Sequence, residues 1–375
     1  MRLYSSDYRI QPYKRGLENL VVNDTRVSFI DGINSKLLYR GYPLEDLADN
    51  LTFEDVAWLI LHGEIPTPTQ SLQWAKELRE WRHPPQEAYD VLKYIPANAH
   101  PLAQYRTMIT IAACHIPEAE RYDLEAQWRR PGRILSWSAC LAAAAIRHLD
   151  GEKPLPPRDD LGYSANFLWQ ALGREASPEE VKAFDVSLIV QAEHGLHAAA
   201  FAALIVISTG ADLGSAVLAG MGALSGIRHG GANQTAYEDL LALASVDQAR
   251  VWVENKLAEK YRFPGYGHRV YKCPDPRVRV LEPYAKAMLE KCGMQERWEI
   301  YATVRHEVEA RLGVKGLYAN VDSITGLVYA PIGLPVTAFP IPFCLAIETG
   351  WMAHCLEYLP RGAMIEPGAV YVTEE

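Results

Sequence analysis

Apolar residues recur along this chain with a helical period almost from end to end. Leu281, Tyr284, Ala285, Met288 and Leu289 fall at i, i+3, i+4, i+7 and i+8, and Ala249, Val253, Leu257 and Tyr261 mark one face of the helix before them. Thr52-Phe53-Glu54-Asp55 opens an apolar run that Gly63 closes. Ser177-Pro178-Glu179-Glu180 is a capping box with proline at the first helical position. Only around residues 27–40 does the period shorten to two, on either side of Asp31-Gly32, which predicts a small hairpin. Residues 191–204, QAEHGLHAAAFAAL, read as a buried helix that carries Glu193, His194 and His197. Glycine and proline gather at 225–233, 264–268 and 331–342, which predicts loops between helices. The proline-rich 152–160 reads as a loop rather than a domain boundary. The expectation is an all-α fold with one small N-terminal β-hairpin.

Composition narrows the function classes. A chain of 375 residues that is 49% hydrophobic has enough apolar surface for a sizeable core in one large domain or two ordinary ones. A formal net charge of −9, with no run of Lys or Arg, argues against nucleic acid. The cysteines at 114, 140, 273, 292, 344 and 355 include no C-x-x-C pair and read as reduced thiols. The opening MRLYSSDYRIQPYKRG lacks the apolar stretch of a signal sequence, and no run of about 18 apolar residues is free of ionisable groups. The reading is a cytoplasmic protein without a membrane span.

The chemistry is expected in the loops. His229 precedes two glycines and the head of a helix, a setting that favours neutral imidazole; a histidine that merely fills a turn fits as well. The segment GYGHRVYKCPDPR, 265–277, sets His268 beside Arg269, Lys272 and Arg277, cations suited to an anionic ligand, with no Gly-rich nucleotide-binding pattern. Asp322, among small residues in YANVDSITG, is either a desolvated and therefore more basic carboxylate or a cap. On a continuous helix Glu193 and His197 would stand at i and i+4 with His194 nearby, a spacing also found in metal sites, but no further ligand is in sight.

Taken together, SFIDG…LLYRGYPLEDLA, His100-Pro101 with Arg106-Thr107, ALSGIRHGGAN, GYGHRVYK..DPR, NVD and GW.AH at 350–354 resemble the citrate synthase family in family order. The likeness is to the smaller bacterial and archaeal type, 2-methylcitrate synthase-like enzymes included. It implies a two-domain helical fold, with a large domain from 1–224 and 326–375 and a small domain, 225–325, closing over the active site. It further implies a homodimer whose site the partner subunit completes, and leaves a heteromer open. The implied substrates are a coenzyme A thioester and a 2-oxo acid, with no resident cofactor and no metal. Asp322 would remove the α-proton of the acyl group, His229 would hydrogen-bond the thioester oxygen, and His268 would protonate the ketone oxygen of the oxo acid. His194 and Arg277 match oxo-acid ligands, and Gly265, Tyr266, Gly267, Arg269 and Lys272 match the coenzyme A segment.

The pattern departs from the family at three places that touch the oxo acid. His197 stands where the family has asparagine, Ile347 where it has an arginine three residues before the Gly-Trp pair, and Glu366 where it has an arginine near the C-terminus. Each charge-assisted bond to a carboxylate is worth about 1.5–3 kcal/mol, so two lost arginines weaken dicarboxylate binding by on the order of a hundredfold. The expectation is a divergent paralogue: an acyltransferase with an altered electrophile site, or alternatively a non-catalytic relative that pairs with another subunit or binds coenzyme A esters.

Overall fold

The computed structural model describes residues 20–117, 123–226 and 229–369, together with 3–4, 15–17, 120 and 371–372. Its helices, in chain order, are α1 (Leu44–Asn50), α2 (Phe53–His62), α3 (Pro68–Glu80), α4 (Gln86–Asp90), α5 (Pro101–Cys114), α6 (Leu124–His148), α7 (Tyr163–Leu172), α8 (Pro178–Gln191), α9 (Ala198–Ser208), α10 (Leu213–Leu224), α11 (Ala232–Leu241), α12 (Val246–Ala258), α13 (Pro276–Lys291), α14 (Gln295–Leu312), α15 (Val321–Ile332) and α16 (Pro340–Tyr358). Strand β1 (Leu3–Tyr4) pairs with β5 (Tyr371–Val372), and β2 (Ser28–Asp31), β3 (Lys36–Tyr39) and β4 (Tyr42–Pro43) form an antiparallel sheet. The all-α expectation with its hairpin holds.

Local chemistry sets the helix starts. The side chains of Thr52, Thr67 and Ser177 each accept the N3 amide while the N3 side chain answers the cap, and Gly63 ends α2 in the left-handed conformation. In the hairpin, Asp31 Oδ1 accepts from the amides of Ile33 (3.0 Å) and Asn34 (2.8 Å). On α13, Leu281, Ala285, Met288 and Leu289 are buried and Tyr284 packs half-buried beside them.

Helix α16 is the centre of the core. It packs against α2, α6, α8, α9 and α10, and every residue from Pro340 to Leu356 is buried. Each fully buried Leu, Ile or Phe along it contributes about 1.5–3 kcal/mol. The stretch 336–361 is long and apolar enough to cross a membrane, but 89% of its apolar window is buried inside the protein, as a core helix requires.

Two sequence expectations change. Residues 191–204 are two helices, not one: α8 ends at Gln191, α9 begins at Ala198, and Gly195 between them has φ 65°. The expected 331–342 loop shortens to 333–339, because Pro331 falls in the last turn of α15 and Pro340 takes the first position of α16, where a missing N–H costs nothing.

Candidate active site

Three breaks between helices converge on one cleft. Residues 192–197 join α8 to α9, residues 229–231 lead into α11, and residues 264–275 are the last part of the connection from α12 to α13. The head of α15 completes it. The 264–275 segment is held from two sides. Gly265 (φ 77°) and Gly267 (φ 84°) fold it tightly against α15: a Cβ on Gly265 would lie 2.7 Å from the main chain of Ser323, next to Asp322. From the other side the hairpin turn grips it, with the Lys272 amide on the Gly32 carbonyl (3.0 Å) and Ser35 Oγ on the Pro274 carbonyl (2.6 Å).

Asn320 is the pin of this arrangement. Its Oδ1 accepts the Asp322 amide (2.9 Å), its Nδ2 donates to the Gly267 carbonyl (2.8 Å), and its own amide donates to the Gly265 carbonyl (2.8 Å). One side chain thus fixes Asp322 relative to the turn that bears His268. Asp322 is half-buried. Burial pushes its carboxyl up to about 6; Asp275 adds to that rise and Arg277 opposes it.

Each histidine is neutral for a definable reason. His268 Nδ1 accepts the amides of Val270 (3.0 Å) and Tyr271 (3.2 Å), so the ring proton sits on Nε2, facing away from the main chain. Burial and the Arg277 charge lower its pKa to about 4. His194 is buried, with Nε2 3.3 Å from the Tyr271 hydroxyl and its ring 4.8 Å from that of His268, and desolvation holds its pKa well below the ordinary value. His229 is half-buried, and burial lowers its pKa. Its Nε2 lies 3.2 Å from His197 Nδ1, and the Trp351 indole donates to His197 Nε2 at 3.3 Å. Burial drives His197 down to about 3.

Arg277 is the buried cation of the site. Its Nε and Nη2 are taken by Asp275, at 3.0 and 2.7 Å, while its charge acts on Asp322, His268, His194 and His197. Arg269 and Lys272 are exposed, with Lys272 Nζ on the His268 carbonyl (3.0 Å), and Tyr266 bridges to Ala319.

Three other residues singled out in the sequence take different settings. Ile347 is completely buried in α16. Glu366 is exposed on the extended segment after Gly362. Glu193, which the metal-site spacing groups with His197, faces away from it: Oε1 accepts from Ser28 Oγ (2.8 Å) and lies 3.0 Å from His354 Nε2. Burial raises the Glu193 carboxyl, but the charge and hydrogen bond of His354, the Ser28 hydroxyl and the field of His197 together hold it below its ordinary pKa. Among the described residues, no three His, Cys, Asp or Glu side chains are placed to hold a metal ion. Asn320, Tyr271, Asp275 and Trp351 were not singled out in the sequence, although all lie within or beside its quoted motifs.

Residues 16–368 match the family model described as citrate synthase, C-terminal domain. Among curated relatives, a citrate synthase of Deinococcus radiodurans is 33% identical over 357 residues, covering 95% of each chain. A 2-methylcitrate synthase of Mycobacterium tuberculosis is 35% identical over 366 residues, covering 96% of this chain and 91% of the relative. Among solved structures, the citrate synthase of Pyrobaculum aerophilum superposes with a TM-score of 0.92 at 30% identity, over 100% of this chain and 95% of that one. The citrate synthase of Thermoplasma acidophilum, solved as a ternary complex with carboxymethyl coenzyme A and oxaloacetate, also gives 0.92, at 28% identity over 96% of each chain. The chain belongs to the citrate synthase family.

Proposed function

We propose that the protein condenses acetyl-coenzyme A, or a close relative, with a 2-oxo acid that carries a single carboxylate. The observation that carries this reading is the conjunction in one cleft of a carboxylate made more basic by burial with neutral imidazoles at 229 and 268. Asp322 takes a proton from the α-carbon of the thioester, and the electron pair moves onto the thioester oxygen. A neutral N–H from His229 meets that oxygen as its charge grows; such a donor is worth about 3–4 kcal/mol. The enolate carbon then attacks the ketone carbon of the oxo acid, whose oxygen takes the Nε2 proton of His268. His194 and the free Nη1 of Arg277 hold the oxo-acid carboxylate. Arg269 and Lys272, exposed beside the turn 265–267, receive the anionic end of coenzyme A. The segment 225–325 closes over the bound substrates.

The preference for one carboxylate follows from charge. Arg277 is already paired with Asp275, position 347 offers no cation, and position 366 carries a glutamate. Deuterium wash-in at the acetyl group in heavy water tests the reading, run with a panel of mono- and dicarboxylic oxo acids because closure depends on the second substrate. Exchange is expected with a monocarboxylic member, and an assay for free coenzyme A thiol shows whether water then cleaves the condensed thioester. Absence of exchange with every member would sink the reading in favour of a non-catalytic relative that binds coenzyme A esters or pairs with an active subunit, the alternative that Ile347 and Glu366 support.

A further inference from the structure

We propose that His197 is a positioning residue: relaying a hydrogen bond from Trp351, it locks the neutral ring of His229 in the tautomer protonated on Nδ1. The inference rests on the reading of His229 as the donor to the enolate oxygen, and it assigns which atom donates.

The chain of bonds runs one way. An indole N–H can only donate, so His197 Nε2, 3.3 Å from Trp351 Nε1, must accept. A neutral ring with a bare Nε2 carries its proton on Nδ1. That nitrogen lies 3.2 Å from His229 Nε2, which must in turn accept, leaving Nδ1 as the only ring nitrogen of His229 that holds a proton. Either alternative for His197, the other tautomer or the cation, would set an N–H against the Trp351 N–H.

The first link is rigid. Trp351 is fully buried, and its ring presses on α10 at Gly220, where a Cβ would stand 2.5 Å from the indole. The second link is unencumbered. His197 occupies the N-cap position of α9 but makes no capping bond, so both of its ring nitrogens serve the relay. The rings of His197 and His229 meet edge to face, with centroids 5.1 Å apart.

The consequence is chemical. A neutral imidazole free to choose divides between two tautomers, and in the wrong one His229 turns a lone pair toward the growing negative charge. Holding the population in the competent form removes that loss, and removing an oxyanion donor altogether costs about 10²–10³ in kcat.

The full-length protein labelled with ¹⁵N-histidine reports the tautomer directly through its ring nitrogen shifts, with His229 assigned from the H229Q spectrum. The expected result is a protonated Nδ1 and a bare Nε2 on His229 in the wild type. In His197→Phe that preference collapses and the acetyl exchange rate falls about ten- to a hundredfold, with KM for the acyl-coenzyme A within about twofold. His197→Asn, whose amide N–H takes the place of Nδ1–H, restores the tautomer and most of the rate. Trp351→Phe, which frees His197 to choose, gives an intermediate loss. A wild-type His229 protonated on Nε2, or a His197→Phe protein with unchanged tautomer and rate, overturns the proposal. If wild type exchanges no acetyl proton with any oxo acid, the enolisation reading falls, while the tautomer spectrum still decides the relay.

Discussion

At the scale of single residues, the cleft separates a base from its acids by environment alone. Asp322 and Asp275 are both near Arg277, but Asp275 takes the guanidinium in a two-point pair while Asp322 receives only its distant field, so burial dominates and its pKa rises to about 6. The exchange rate is therefore expected to climb with pH through about 6 and to level off above it, as a single deprotonation requires. Asp322→Asn should lower that rate by about 10²–10⁴. Stability should move the other way. A carboxyl whose pKa folding has raised stabilises the native state below its unfolded value of 3.8, and that contribution is lost as pH rises through about 6. Thermal melts at pH 8 should thus show the Asn variant at least as stable as wild type. A markedly lower melting temperature would mean that the carboxylate holds the head of α15 together rather than serving chemistry. His268 and His229 were legible as candidates because they stand in the glycine-rich segments SGIRHGGAN and GYGHRVYK, which match family motifs. The residues that orient them were not: Trp351 reaches His197 across 154 positions, and no local pattern announces a contact at that range.

At the scale of elements, the helix starts and the hairpin follow from chemistry within a few residues and were readable for that reason. The break at 192–197 was not. Its flanks keep a helical apolar pattern, but the carboxylate of Glu193 binds Ser28 and His354 from distant elements, and Gly195 supplies the left-handed turn that lets it do so. A similar tertiary bargain lies inside α16. Glu348 is fully buried with no cation near it; Oε2 accepts from Tyr105 (3.2 Å) and Ser138 (3.0 Å), while Oε1 has no partner. Burial, only partly offset by those two hydroxyls, pushes its pKa well above the ordinary value, so the carboxyl is held neutral. Its contribution to stability is complete below the unfolded value of 4.5 and is lost as pH rises toward the raised native pKa. Glu348→Gln keeps the shape and removes the titration. Relative to the variant, wild type should lose stability as pH rises above 4.5, by at most about 1.4 kcal/mol per pH unit, measured by chemical denaturation across a pH series. A difference independent of pH would mean that Glu348 is ionised in the folded core.

At the scale of the whole molecule, two of the three positions at which the sequence departs from the resembled motifs lie in different settings. Ile347 is sealed inside the protein and Glu366 is exposed on the extended segment that follows Gly362. If the tail completes a neighbouring subunit's site, the carboxylate of Glu366 repels a second carboxylate on the oxo acid, and Glu366→Arg replaces repulsion with a charge-assisted bond. One such bond is worth about 1.5–3 kcal/mol, so the affinity for a dicarboxylic oxo acid should rise tenfold or more. The geometry of sharing can be separated from the charge effect with differently tagged subunits. A mixed dimer pairs wild type with a chain carrying both Asp322→Asn and Glu366→Arg, so that only the wild-type subunit retains the base. If the tail acts across the interface, the surviving site receives the new arginine and its KM for the dicarboxylic acid falls with no change in its own sequence. If the KM stays at the wild-type value in the mixed dimer while falling in the Glu366→Arg homodimer, the tail serves its own chain, and selection against the second carboxylate is made within each subunit.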